Sequence, residues 1–149
     1  MKKLLIAIAL LTLSYQGAKS QILKPVTWSY AAKKTSATTA TLYIKATVDE
    51  GWHLYSQFVK DGGPVKTTFT FPAGKGYSLT GKTIEPKPIT RFESTFGMDV
   101  SYFEKSVIFQ QKVKLVAKNA TVKGKVEFMV CNDKQCLPPE EIEFSIAVK

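Results

Sequence analysis

The chain has 149 residues, of which 44% are hydrophobic and 22% charged, with a formal net charge of +9. That length leaves no room for two ordinary domains once a targeting segment is set aside, and the apolar share is enough for a core of its own. The bases are lysines scattered among threonines and serines, with Arg91 the single arginine; nucleic-acid surfaces cluster Arg and Lys with exposed aromatics, so nucleic acid is not the expected partner.

The first twenty residues read as a secretory signal. Lys2 and Lys3 form a basic start, and Leu4–Leu13 is an apolar run too short to span a bilayer. Ala18 and Ser20 sit where signal peptidase prefers small residues, which places cleavage between Ser20 and Gln21. Three lysines leave with the leader, so the mature chain, 21–149, carries 18 bases against 12 acids, a net +6. No later stretch is apolar enough to cross a membrane, and the expected product is an exported single domain with no membrane insertion after cleavage.

The mature chain reads as strands. "TLYIKATV" places Leu42, Ile44, Ala46 and Val48 on one face and polar residues on the other, the period of two that marks a half-buried strand. "VKTTFTF" repeats the pattern through Val65, Thr67, Phe69 and Phe71. "TIEPKPIT" holds two prolines at alternate positions and suits an edge or a loop. "RFESTFGMDVSYFEKS" fits strand periodicity poorly and is expected to be in part a long loop. "SVIFQQKVKLV", "VKGKVEFMV" and "IEFSIAV" are three more strands, and Asp49-Glu50-Gly51, Asp61-Gly62-Gly63-Pro64, Pro72-Ala73-Gly74 and Asn119 mark turns between them. "NAT" at Asn119 matches a glycosylation sequon and reads as a turn. No amphipathic helix is apparent. Short strands spaced by turns predict an all-β, immunoglobulin-like β-sandwich.

The two cysteines, Cys131 and Cys136, lie in "VCNDKQCLPP". An exported chain permits a disulfide between them, and three readings are open. As a staple, the bond closes so small a loop that it adds roughly 2 kcal/mol. As a metal clip it would need four ligands, and only His53 and Asp133 are at hand to complete an improvised set; a strand-end histidine such as His53 more often packs and hydrogen-bonds. As an exchange site, two thiols on one tight polar turn supply both an attacking and a resolving sulfur. Lys134 would favour a thiolate and Asp133 would oppose it. Pro138 and Pro139 have no N–H, so the chain beyond Cys136 cannot pair as a central strand and leaves open edge beside the sulfur. Glu140 and Glu141 read as solvated.

The strand ending in Cys, the short bridge, Cys-Leu-Pro-Pro and the final alternating strand resemble the amino-terminal periplasmic domain of the thiol:disulfide interchange protein DsbD. "GWHLYS" and "FESTFGMDVSYFEKSV" resemble two further segments of that family, and the likeness runs from Trp28 to Val148. The resemblance implies an immunoglobulin-like fold and a redox-active pair, in which Cys136 forms mixed disulfides with partners and Cys131 resolves them. It implies a cap loop over the pair, here Phe92 to Gly97, with Phe96 or Phe92 as the covering ring, and it places Tyr55 near the site. It implies electrons from a membrane-embedded thiol reductase through a thioredoxin-like domain, and oxidised periplasmic proteins as acceptors, without organic cofactor or metal. The four-residue bridge departs from the family by being one residue shorter than in well-known members. A carrier and a thioredoxin-like domain do not follow the sandwich here, so separate docking partners are expected. The rival expectations are an exported binding module with an inert disulfide, and a holdase chaperone using exposed strand edges.

Overall fold

Eleven strands and no helix make up the described residues, 23–149 of a computed structural model. The expected leader and its cleavage site lie outside them. In chain order the strands are β1 (Val26–Lys34), β2 (Thr39–Val48), β3 (Trp52–Tyr55), β4 (Thr68–Thr70), β5 (Tyr77–Ile84), β6 (Ile89–Glu93), β7 (Met98–Phe103), β8 (Ser106–Leu115), β9 (Ala120–Phe128), β10 (Val130–Asn132) and β11 (Glu140–Val148). They form three antiparallel sheets, ordered β1-β2-β8-β5, β10-β3-β7-β6 and β11-β9-β4. The first sheet is one layer of a sandwich, and the other two share the opposite layer. All three sheets send side chains into one core, as the immunoglobulin-like expectation required.

Strict alternation explains the first layer. In β8 the inward residues Val107, Phe109, Gln111, Val113 and Leu115 are all buried while their neighbours are exposed. β2 matches with Leu42, Ile44, Ala46 and Val48. Phe109 joins the layers: its ring lies 4.9 Å from Phe69 of β4 and 5.9 Å from Phe103 of β7. Gln111 is the polar exception in this row. β5 bulges between Thr80 and Ile84, where Gly81 takes a φ of 70°, and a bulge leaves ladder groups unpaired. The Gln111 carboxamide lies under that bulge, accepting from the Thr83 hydroxyl at 2.9 Å and donating to the carbonyls of Lys112 at 2.8 Å and Thr80 at 3.4 Å.

Several strand limits differ from the sequence reading. The segment expected to be in part a long loop, 91–106, is instead largely a hairpin: β6 and β7 pair from Ile89↔Tyr102 to Glu93↔Met98, and only Ser94–Gly97 turn between them. β6 is an edge strand exposed along nearly its whole length, so burial gives it no alternating pattern to read. The strand expected over Val65–Phe71 shrinks to Thr68–Thr70, because Val65 and Lys66 still belong to the loop that follows Gly62-Gly63-Pro64. The strand expected over 122–130 divides at Met129: β9 stays with β11, and β10 crosses to pair with β3. That crossing carries Cys131 out of one sheet and onto the edge of another.

Candidate functional site

Cys131 and Cys136 face each other across a short hairpin and are joined by a disulfide, with Cα atoms 4.0 Å apart. Two backbone bonds frame the pair: Leu137 N–H donates to Val130 O at 2.9 Å, and Asn132 N–H donates to Gln135 O at 2.9 Å. Asn132 builds the turn. Its side-chain oxygen accepts from the N–H groups of Lys134 and Gln135, both at 2.9 Å, an arrangement in which an Asn side chain stands in for a turn of backbone. The bridge residues Asp133, Lys134 and Gln135 are exposed, as are Pro138 and Pro139.

The two sulfurs live in different surroundings. Cys131 is 2% exposed and belongs to a small apolar cluster with Tyr55, Val59, Val100 and Tyr102, flanked by Phe96, Met98 and Met129. Cys136 is exposed. The cluster lies on the outer face of the sheet β10-β3-β7-β6. The inner face of the same sheet supplies Trp52, Leu54, Phe103 and Val130 to the main core. β3 is therefore covered on both sides, which is why "WHLY" shows no alternation.

Two loops hold the cluster in place. After β3 the chain is pinned by Glu85, whose carboxylate accepts from the Ser56 hydroxyl and from Gln57 N–H at 2.9 Å; Ser56 N–H in turn donates to Ser101 O at 2.9 Å. This anchors the segment that carries Val59 over the cluster. The β6–β7 turn is closed by Gly97, with a φ of 65°, whose N–H donates to Glu93 O at 2.8 Å. It sets Phe96 edge-on to Tyr55, ring centres 6.3 Å apart. The other cap candidate, Phe92, is 66% exposed and sits in β6 instead of the turn. The structure thus brings Phe96 into the group that holds Cys131 and leaves Phe92 on the surface.

His53 is mid-strand, directly opposite Cys131 in the β3–β10 register. Its Nε2 lies 3.2 Å from the Tyr55 hydroxyl, and its ring is 4.7 Å from that of Tyr102. Burial lowers its pKa, opposed by the charges of Glu93, Glu104 and Asp133. Burial likewise pushes the Tyr55 phenol up to about 12, helped by Glu93 and Tyr102. The Tyr102 phenol is raised by burial and pulled back by Arg91. His53 also lines a cleft of about 790 Å3, together with Trp52, Arg91, Phe92, Tyr102 and Lys105. Five of the twelve acids, Asp49, Glu50, Glu93, Glu104 and Asp133, border it, so the disulfide end of this basic chain is locally acidic. Neither the Tyr102–Val100 half of the cluster nor the His53–Cys131 pairing was anticipated from sequence. The aromatic run in "DVSYF" was the available signal, hidden by the unrecognised hairpin.

The sandwich thus presents one cysteine of its disulfide at the surface and buries the other. Residues 19–147 match the family described as thiol:disulfide interchange protein DsbD, N-terminal, and the chain belongs to that family. Among solved structures it is similar to the N-terminal periplasmic domain of ScsB from Proteus mirabilis, with 18% identity and a TM-score of 0.60 over 85% of this chain and 47% of that one. It is similar also to the reduced DsbD N-terminal domain of Neisseria meningitidis, with 15% identity and a TM-score of 0.56 over 85% and 90% of the two chains. A third match, at 14% identity and a TM-score of 0.55 over 84% and 87%, is a complex between the DsbD and PilB N-terminal domains of Neisseria meningitidis. No curated protein sequence matches the chain.

Proposed function

We propose that this domain is a periplasmic thiol–disulfide exchange module. It passes reducing equivalents from a thioredoxin-like or membrane-embedded thiol reductase to oxidised periplasmic proteins through Cys131 and Cys136. The observation that carries the reading is the unequal burial of the bonded cysteines, Cys131 buried and Cys136 exposed, which favours attack by an incoming thiolate at Cys136. In the reduced form the Cys136 thiolate attacks a client disulfide and displaces one client sulfur as thiolate. Cys131 then attacks the Cys136 sulfur of that mixed disulfide, releasing the second client thiolate and closing the Cys131–Cys136 bond. A donor thiolate attacking Cys136 begins the reset. Phe96 covers the cluster side of the pair, while Asp133, Pro138 and Pro139 shape the exposed rim and keep it free of strand pairing. A DsbD N-terminal domain of similar fold forms a complex with the PilB N-terminal domain, which supports docking to a separate protein partner.

The test is a pair of substitutions. Cys136→Ala should abolish reduction of client disulfides, and Cys131→Ala should leave mixed disulfides trapped on Cys136. A reduction potential between about −270 and −120 mV is expected, whereas a value well below about −300 mV would mark an inert structural bond. Full reducing activity in both variants would sink the reading, and client binding that survives Cys136→Ala would point to a holdase.

A further inference from the structure

A disulfide with one buried sulfur raises a proton problem. When a donor thiolate attacks Cys136, the electron pair of the broken bond passes to the Cys131 sulfur. That sulfur then carries a negative charge among Tyr55, Val59, Val100 and Tyr102, where burial disfavours it. In the opposite direction, a buried thiol holds its proton tightly and must lose it before it can attack a mixed disulfide. Efficient exchange in either direction needs a proton carrier beside Cys131.

One side chain of a kind that exchanges protons near neutral pH is placed for this. His53 and Cys131 are direct cross-strand partners, so their side chains leave the same face of the sheet with Cβ atoms about 4.5–5.5 Å apart. The imidazole is held between the Tyr55 hydroxyl and the Tyr102 ring. A phenol both donates and accepts, so that contact survives whichever nitrogen bears the proton. On its other side His53 borders the open cleft, where water can exchange the proton. The charged groups facing it are Glu93 and Arg91 from β6, Glu104 after β7, and Asp133 from the turn; Asp49, Glu50 and Lys105 border the same cleft.

We propose that His53 is the proton carrier of Cys131, giving it a proton as the disulfide is reduced and taking it back as the disulfide re-forms. The inference rests on the exchange reading above. In reduction, the donor–Cys136 bond forms, the Cys131–Cys136 bond breaks, and imidazolium protonates the departing Cys131 thiolate. In resolution, neutral imidazole takes the Cys131 proton as its sulfur attacks Cys136, and the client leaves as thiolate. The imidazolium then passes its proton to water in the cleft. Burial favours the neutral imidazole, against the pull of Glu93, Glu104 and Asp133, and the neutral form suits the resolving direction.

The reaction of the reduced domain with 5,5′-dithiobis(2-nitrobenzoate) separates the steps. Attack by Cys136 releases the first coloured thiolate in a phase that depends on reagent concentration. Attack by Cys131 releases the second in a first-order phase. In the unaltered chain the second phase should change little between about pH 6.5 and 7.5, fall at lower pH as His53 gains a proton, and rise again above that window, where the unassisted thiolate route overtakes it. In His53→Gln it should be about tenfold slower at neutral pH, less than the roughly hundredfold or more that a placed proton carrier typically contributes, because a thiol also ionises unaided. It should also rise about tenfold per pH unit, following the thiolate fraction alone, and added imidazole should restore part of the loss. His53→Asn serves as the second variant. Identical second-phase rates and pH profiles in the unaltered chain and either folded variant would overturn the inference while leaving the exchange reading intact. A steady rise with pH in the unaltered chain, without a plateau, would overturn it with no variant at all. Absence of the second phase in the unaltered chain would remove both.

Discussion

The core between the layers and the small cluster around Cys131 meet at one strand and differ in almost everything else. β3 sends Trp52 and Leu54 inward and His53 and Tyr55 outward. Inside, the residues are aliphatic and phenylalanine-rich, come from all three sheets, and bring almost no polar atoms. Outside, two tyrosines, a histidine, Val100 and the Cys131 sulfur rest on one sheet, with Val59 over them and Phe96, Met98 and Met129 at the flanks. A closed core of that kind supplies stability, and it holds the outer sheet rigid from behind. A thin cover over the other face leaves polar and reactive groups close to solvent. The domain thus separates what keeps it folded from the proposed exchange site, on opposite faces of one sheet.

The largest expected effect is on the inner side. Phe109 is fully buried and touches aromatic rings from both layers. Phe109→Ala should cost about 3–5 kcal/mol, as Phe deletions in packed cores do, a large part of the 5–15 kcal/mol that holds an ordinary domain together. Urea denaturation measures the loss. Among molecules that remain folded, the rate at which a small dithiol reduces the disulfide should be unchanged. A rate that moved with stability would show that core and cluster are not separate.

The outer side is probed next by its cover. Phe96→Ala should speed reduction of the disulfide by a small dithiol several-fold while lowering stability by less than Phe109→Ala, since Phe96 is only half-buried. Phe92→Ala should change neither, because that ring is mostly in water. Equal acceleration by both would mean that shielding comes from the whole β6–β7 edge. Acceleration by Phe92→Ala alone would move the cap to the exposed ring.

This division also explains what could be read in the sequence. Strands with one wet face, β2, β8 and β11, announce themselves by alternation: "TLYIKATV" and "SVIFQQKVKLV" place their buried apolar residues where the period of two puts them, with Thr41 the one buried residue on the other face of β2. β3 is covered on both faces and β6 on almost neither, so neither carries the pattern, and the β6–β7 hairpin read as a loop. β1 does alternate through Val26, Trp28, Tyr30 and Ala32, yet each is only half-buried. The cysteine turn was legible because Asn, Asp, Pro and paired Cys are local signals. Its partner His53 was not, because 78 residues of chain separate it from Cys131 and only strand register brings them together. The asymmetry of burial between Cys131 and Cys136 follows from β10 crossing to β3 while the chain after it turns outward, and no local pattern encodes that crossing.

The smallest expected effect concerns pH. Tyr55 is 1% exposed, and its phenol is pushed up to about 12 by burial, against an ordinary value near 10 in the unfolded chain. The folded state therefore holds this proton more tightly than the unfolded state. Its contribution to stability is complete below about pH 10 and is lost as pH rises toward about 12. Tyr55→Phe removes the titration together with the contact to His53, a roughly constant loss of about 1 kcal/mol for one hydrogen bond. The stability difference between the unaltered chain and Tyr55→Phe should hold steady up to about pH 10 and shrink above it, since only the unaltered chain still has this proton to lose. Urea midpoints at a series of alkaline pH values measure the trend. Phe109→Ala carries no titrating group and should run parallel to the unaltered chain over the same range. If instead the Tyr55→Phe difference stayed constant throughout, the outer cluster would be wet enough to ionise freely, and the dry setting attributed to the Cys131 sulfur would go with it.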